Sequence, residues 1–90
     1  MDALIQDRIE KAGVIAVVSL ESSEAAVPLA RALLAGGVSA IELTLRSPAA
    51  LAALELLCKE VPELLIGAGT VLTTDQVRQV RQAGAAFAVA

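Results

Sequence analysis

The stretch AGGVSAIELTLRSP at residues 35–48 decides the fold of this chain. It passes from an Ala-Gly step, typical of a helix end, through an apolar run to a Ser-Pro step, typical of a helix start. Similar apolar runs occupy Val14–Val18, Val38–Thr44, Leu64–Ala68 and Ala86–Ala90, with starts 24, 26 and 22 residues apart. This spacing predicts four strands in one strand–helix unit that is used repeatedly.

The segments between these runs are predicted to be helices with readable ends. Ser47 is expected to cap a helix that has Pro48 at its first position and ends before Pro62. Thr73 and Gln76 fit a capping box at the start of the next helix. The Ala-Gly steps that precede three of the four runs predict left-handed glycines at helix ends, at positions 13, 36 and 84.

Two helices are also predicted in the first third of the chain. Ser22 or Ser23 opens one of them, and Pro28 is expected to bend its first turn or remove a hydrogen bond. A weaker amphipathic pattern predicts a leader helix before the first strand, with Leu4, Ile5, Ile9 and Ala12 on one side.

Strand–helix–strand units of this length force parallel pairing, because each helix returns the chain to the same end of the sheet. The sequence therefore predicts an α/β fold in which both faces of a parallel sheet are covered. Ninety residues exclude a complete (β/α)₈ barrel, which needs at least about 200. Because the chain ends inside the fourth apolar run, we expect the N-terminal part of something longer, or a piece that pairs with another copy.

Composition excludes several classes of function. The chain is 57 % apolar and 19 % charged, which excludes disorder, and its net charge of −3 without a basic stripe argues against nucleic acid as a partner. Histidine is absent, which removes Ser-His-Asp and Cys-His pairs and most zinc sites. No apolar run is as long as a membrane span and no signal peptide is recognisable, so we expect a cytoplasmic protein without membrane contacts.

The second predicted strand carries the first candidate for chemistry. Ile41, Leu43 and Leu45 share one face, and the opposite face carries Ala40, Glu42, Thr44 and Arg46. In a closing barrel, the inward face near the carboxyl end of a strand is where catalytic groups lie. A structural ion pair or a solvated strand end is an equally good interpretation of Glu42 from this pattern.

The segment Gly67-Ala68-Gly69-Thr70 ends the third predicted strand and does not complete a dinucleotide-binding fingerprint, because Leu72 stands where the third glycine belongs. Two interpretations remain: a glycine-lined strand end that lets a small ligand approach backbone N–H groups, or an ordinary tight turn. Lys11 and Lys59 are expected to be solvated.

These motifs together resemble the 2-keto-3-deoxy-6-phosphogluconate (KDPG) aldolase and 4-hydroxy-2-oxoglutarate (KHG) aldolase family. The resemblance rests on the run Ile41–Arg46, on Ile66–Leu72 at this separation, and on Ala83-Gly84-Ala85 before Phe87. It covers essentially the whole chain. It implies a TIM (β/α)₈ barrel of which residues 1–90 are the N-terminal half, with a leader helix, four strands and no internal boundary.

The resemblance also implies an activity and a set of site residues. Family members are class I aldolases that form a Schiff base with pyruvate and need no metal or other cofactor. It places the general acid/base at Glu42 and contacts to the substrate carboxylate at Arg46 and Thr70. Ser19 departs from relatives that carry arginine at the end of the first strand. The implied substrates are small keto acids, and the implied assembly is a homotrimer.

The Schiff-base lysine of the family lies on a later strand, beyond Ala90. We therefore expect an aldolase in the full-length protein and no activity in the 90-residue chain alone. The alternative is a non-catalytic half-barrel that serves as a scaffold or assembly module.

Overall fold

Helices and strands alternate along the chain in the predicted order. The computed structural model describes residues 3–90, so Met1 and Asp2 of the predicted domain lie outside the described residues. Within that range the helices are Ala3–Ala12 (α1), Ala26–Ala35 (α2), Ala50–Glu60 (α3) and Thr74–Ala83 (α4), and a 3-10 turn at Ser23–Ala25 precedes α2. The strands are Ala16–Val18 (β1), Ala40–Thr44 (β2), Leu65–Gly69 (β3) and Phe87–Ala88 (β4).

The strands form one sheet in which every neighbouring pair is parallel, in the order β1-β2-β3-β4. This confirms the predicted α/β class. In the register, Val17, Glu42, Gly67 and Phe87 lie in one row across the sheet. Because successive strands are neighbours and run in the same direction, all four carboxyl ends meet at one edge.

The outer face of the sheet packs against α2, α3 and α4. Ile41 and Leu43 of β2 belong to this core, as predicted, together with Leu54 and Leu57 of α3, all of them at most 2 % exposed. Burial of such a side chain contributes about 1.5–3 kcal/mol. The side of β2 that carries Ile41 and Leu43 therefore belongs to the outer face of the sheet. The opposite side, which carries Ala40, Glu42 and Thr44, belongs to the inner face.

The inner face is covered at its amino-terminal end by α1. Ala40, Leu65 and Phe87 form a second, smaller core, against which Ile5 and Ile9 of α1 pack. The predicted leader helix is thus confirmed. The carboxyl-terminal half of the inner face is left to the polar residues of β2.

Two predicted helix ends are wrong in detail. Ser47 does not cap α3: the N-cap is Ala49, without a side-chain hydrogen bond, and the Ser47 hydroxyl donates to the carbonyl of Leu20. After α2, the left-handed residue is Gly37 at φ 92°, whereas Gly36 has φ −85°. The Ser hydroxyl has a tertiary partner that local sequence does not reveal.

Other predicted ends are confirmed. Thr73 and Gln76 form the capping box of α4, and Gly84 ends that helix in the left-handed conformation at φ 102°. The predicted serine cap is displaced: Ser22 caps the 3-10 turn by accepting a hydrogen bond from the Glu24 N–H at 3.2 Å, whereas α2 itself has Ala25 as its N-cap, without a side-chain hydrogen bond. No helix in the described part of the chain is both apolar and long enough to cross a bilayer.

The first and last strands are shorter than predicted. β1 begins at Ala16 rather than Val14, and β4 covers Phe87 and Ala88 of the predicted Ala86–Ala90. Pairing continues beyond β4, because the Val89 N–H donates to the Ala68 carbonyl at 2.8 Å and the Val71 N–H donates to the Val89 carbonyl at 3.0 Å.

Candidate functional site

Glu42 lies in the middle of β2 on the inner face, partly buried. Its side chain leans toward the carboxyl-terminal edge of the sheet, over Gly69 of β3: a Cβ built on Gly69 would lie 2.8 Å from Cδ and 3.0 Å from Cγ of Glu42, and closer still to Oε2. Within residues 3–90 the carboxylate takes part in no hydrogen bond or ion pair. The structural ion pair that the sequence left open is therefore wrong for the described residues.

The glycines of β3 accommodate side chains of this chain. Gly67 lies under the ring of Phe87, and Gly69 lies under the Glu42 carboxylate. The expectation that these glycines expose the backbone to a small ligand is therefore wrong at both positions. The tight-turn interpretation is also wrong, since both residues belong to the strand.

A pair of hydroxyl groups lies beside Gly69. Thr44 is Gly69's partner in the register and is 4 % exposed, and its Oγ1 is 2.6 Å from Oγ of Ser19, which follows β1. The sequence analysis placed Thr44 on the inner face but did not foresee its bond with Ser19. The two hydroxyl groups therefore lie beside Gly69, the residue over which the Glu42 carboxylate is placed.

Thr70 follows β3 directly and has a left-handed backbone, with φ 58°. A β-branched residue at positive φ is a genuine outlier, and such outliers cluster at functional sites. It is the only residue of this kind among the described residues other than glycine. Thr70 is one of the two residues to which the resemblance assigns a contact with the substrate carboxylate.

The loop after Thr70 is held by Gln76 of α4. The Gln76 Oε1 accepts hydrogen bonds from the N–H groups of Leu72, at 2.7 Å, and Thr73, at 3.1 Å, while Thr73 Oγ1 accepts from the Gln76 N–H at 3.1 Å. The sequence predicted the capping box but not the bond to Leu72. This network fixes the chain two residues after Thr70.

Arg46 lies two residues beyond the end of β2 and is exposed. Its guanidinium forms no ion pair within residues 3–90. The structure therefore places Arg46 and Thr70 after the carboxyl ends of adjacent strands, on the edge toward which Glu42 leans, but joins neither residue to Glu42 by a hydrogen bond.

The two lysines and the cysteine of the chain lie away from this edge. Lys11 pairs with Asp7 at 2.9 Å on the surface of α1, and Lys59 is exposed on α3. Burial raises the pKa of the Cys58 thiol, which keeps it protonated. No group of three or more metal-ligating side chains occurs in the part of the chain that the structure describes.

Comparison with known proteins shows the family of the chain. The family model described as KDPG and KHG aldolase matches residues 5–90. The chain belongs to the KDPG and KHG aldolase family. Among curated members, it is 49 % identical over 76 residues to the KHG/KDPG aldolase of Escherichia coli K12 and 47 % identical over 85 residues to the 2-dehydro-3-deoxy-phosphogluconate aldolase of Treponema pallidum. These matches cover 84 % and 94 % of the chain.

Solved aldolase structures share its fold. The KDPG aldolase of Legionella pneumophila, solved with pyruvate captured as a covalent carbinolamine, matches 82 % of the chain with a TM-score of 0.80 and 53 % identity. The KDPG aldolase of Zymomonas mobilis ZM4, solved with 3-phosphoglycerate, matches 96 % with a TM-score of 0.87 and 42 % identity. The chain spans 36 % to 41 % of the length of these four aldolases.

Proposed function

We propose that this chain is the N-terminal half of a (β/α)₈ class I aldolase. The full-length protein, meaning this chain together with the portion that completes its relatives, cleaves 2-keto-3-deoxy-6-phosphogluconate to pyruvate and glyceraldehyde 3-phosphate, or 4-hydroxy-2-oxoglutarate to pyruvate and glyoxylate. The observation that carries the proposal is the unpaired Glu42 carboxylate at the carboxyl-terminal edge of the parallel sheet. That edge is where barrel enzymes hold their active sites.

Glu42 is the proton-transfer group of this mechanism. Cleavage of the carbon–carbon bond needs a base that takes the proton of the C4 hydroxyl, and the three-carbon enamine that is left needs an acid to return a proton to its methylene carbon. A carboxylate that no cation neutralises can do both in turn. The electron sink of this mechanism is a Schiff base formed with the keto carbon of the substrate. The carbinolamine captured with pyruvate in the Legionella enzyme supports this, because a carbinolamine loses water to give a Schiff base.

Arg46 and Thr70 bind the carboxylate of the keto acid. The Arg46 guanidinium offers a planar fork of donors that matches a carboxylate, and Thr70 adds a hydroxyl from the neighbouring strand end. Both residues follow the strand ends on the edge toward which Glu42 leans. The Schiff-base lysine is supplied by the portion outside this chain, because Lys11 and Lys59 are both exposed on helices.

We further propose that the full-length protein is a cytoplasmic homotrimer that uses no metal or other cofactor. The net charge of −3 on residues 1–90 supports small-molecule substrates rather than nucleic acid as the partner of this portion of the protein.

The test is turnover of the full-length protein and its Glu42→Gln variant, with pyruvate release as the assay. The amide keeps the size of the carboxylate, so the variant should fold normally and lose roughly 10²–10⁴-fold in turnover. The matched control is Glu55→Gln, at an exposed position on α3, which should leave turnover unchanged. Wild-type turnover in Glu42→Gln would refute the assignment of Glu42.

Borohydride trapping with pyruvate tests the covalent step separately. We expect a trapped adduct in the full-length protein and none on Lys11 or Lys59. An adduct on either lysine, located by mass spectrometry, would overturn the assignment of the Schiff base to the other portion of the protein.

A further inference from the structure

Two of the five residues of β3 are glycine, which weakens a strand unless the position needs it. Backbone conformation does not require glycine here. The glycines at positive φ are Gly13, Gly37 and Gly84, so neither Gly67 nor Gly69 adopts the left-handed conformation. The reason for glycine at both positions is therefore the space above the strand.

Different side chains lie over the two glycines. The Phe87 ring lies over Gly67, the residue directly opposite Glu42 in the register. The ring thus occupies the place on β3 that is nearest to Glu42 along the row. The Glu42 side chain instead lies over Gly69, two residues closer to the carboxyl-terminal edge.

Packing alone holds the Glu42 carboxylate in that position. The three atoms nearest to a Cβ at Gly69 are Cγ, Cδ and Oε2 of Glu42, so the outer half of the side chain follows the Gly69 backbone. Within residues 3–90 no ion pair or hydrogen bond ties the carboxylate to another group. A methyl group at position 69 would leave the carboxylate no room where it now lies.

We propose that Gly69 is a positioning residue for the proton-transfer group: its missing side chain is the slot that places the Glu42 carboxylate at the carboxyl-terminal edge. The proposal rests on the proposed function for its catalytic consequence, but the slot itself is a statement about packing. The three atoms nearest to a Cβ at Gly69 all belong to Glu42, so the effect of filling the slot should depend on the side chain at position 42.

Stability measurements test the slot without reference to activity. In the full-length protein, Gly69→Ala should lower Tm by roughly 2–10 °C, because an overpacked site forces side chains out of place. Glu42→Ala removes all three clashing atoms, so adding Gly69→Ala to it should cost at most about 2 °C. Gly36→Ala is the control, since its Cβ would meet the carbonyls of Ala32 and Leu33 at an ordinary 3.6 Å and its φ is −85°. Its Tm should stay the same or rise slightly, because alanine makes the unfolded chain less flexible.

Turnover measurements test the consequence for catalysis. Gly69→Ala should reduce kcat by roughly 10–100-fold, the usual effect of moving a catalytic group by about 1 Å. In a Glu42→Gln background the same substitution should change kcat by at most about twofold, because the group that it displaces no longer transfers protons. A merely structural role would give the same loss in both backgrounds.

Each outcome has a defined meaning. Equal Tm costs of Gly69→Ala with Glu42 and with Ala at position 42 would overturn the slot, and wild-type kcat in Gly69→Ala would overturn its role in positioning. If Gly69→Ala fails to fold, recovery of folding in the double variant with Glu42→Ala supports the proposal, and no recovery overturns it. Wild-type turnover in Glu42→Gln would refute the proposed function, while the Tm comparison would still decide about Gly69.

Discussion

Replacement of Thr70 by glycine should reveal how much strain the backbone stores at this edge. Thr70 has φ 58°, a conformation that costs an L-residue about 1–2 kcal/mol and a glycine nothing. Glycine also makes the unfolded chain more flexible, which lowers stability by about 0.5–1 kcal/mol. The net effect of Thr70→Gly is therefore a free energy of unfolding that is unchanged or higher by up to about 1.5 kcal/mol.

The matched control is Thr74→Gly, at the exposed first residue of α4. Both substitutions add the same flexibility to the unfolded chain, so the difference between them isolates the strain of about 1–2 kcal/mol. Thermal unfolding of the full-length protein, followed by circular dichroism, should give Thr70→Gly a Tm about 2–8 °C above that of Thr74→Gly. If Thr70→Gly melts at or below the control, the backbone at Thr70 is not strained.

The same variant should bind pyruvate less well. The proposed contact between the Thr70 hydroxyl and the substrate carboxylate predicts an affinity loss of roughly tenfold or more when the hydroxyl is removed. Thr70→Asn should keep part of this affinity, because asparagine tolerates the left-handed region and offers a donor. Higher stability combined with weaker binding is the signature of strain retained for function.

Three further predictions concern other parts of the chain. Arg46→Ala in the full-length protein should weaken pyruvate binding by about 1.5–3 kcal/mol, as measured by calorimetry, and unchanged affinity would remove Arg46 from the site. Since burial raises the pKa of Cys58, its alkylation by iodoacetamide at pH 8 should be slower than that of a free thiol, and the rate should rise only at a higher pH. The buried neutral thiol stabilises the fold at low pH, and that contribution is lost as the pH rises through the raised pKa. The 90-residue chain prepared alone should self-associate, because β1 and β4 have open edges and because Val17 and Val89 are 67 % and 44 % exposed on the inner face. A monodisperse monomer in sedimentation velocity would contradict this prediction.

The order of helices and strands and the two faces of β2 were predictable from the sequence because they depend on local patterns. Ile41 and Leu43 alternate with Glu42 and Thr44, and a period of two in a predicted parallel strand assigns each residue to a face without knowledge of its neighbours. The capping box at Thr73 is equally local, since its two hydrogen bonds lie within four residues. Such patterns predict structure because residues close in sequence determine them.

The details of the site were not predictable because they depend on pairs that are distant in sequence. The Ser47 hydroxyl had a local acceptor role available as a helix cap but donates to Leu20 instead. The side chains above the two glycines of β3 come from β2 and β4, and only the register between strands decides which glycine lies under which side chain. The residue pattern assigned Glu42 to a face and the resemblance proposed roles for Glu42 and Thr70, but neither could place one carboxylate over Gly69.

The amide of Gln76 gives the outer surface of α4 an uneven tolerance to substitution. Gln79 and Gln82 on the same helix are exposed and make no hydrogen bond through their side chains within residues 3–90, so substitution there should cost little stability. Substitution of Gln76 should cost more, because its Oε1 accepts hydrogen bonds from the N–H groups of Leu72 and Thr73. The three glutamines of this short helix therefore differ in what a substitution would cost, and the costly one is Gln76, whose side chain reaches backward along the chain.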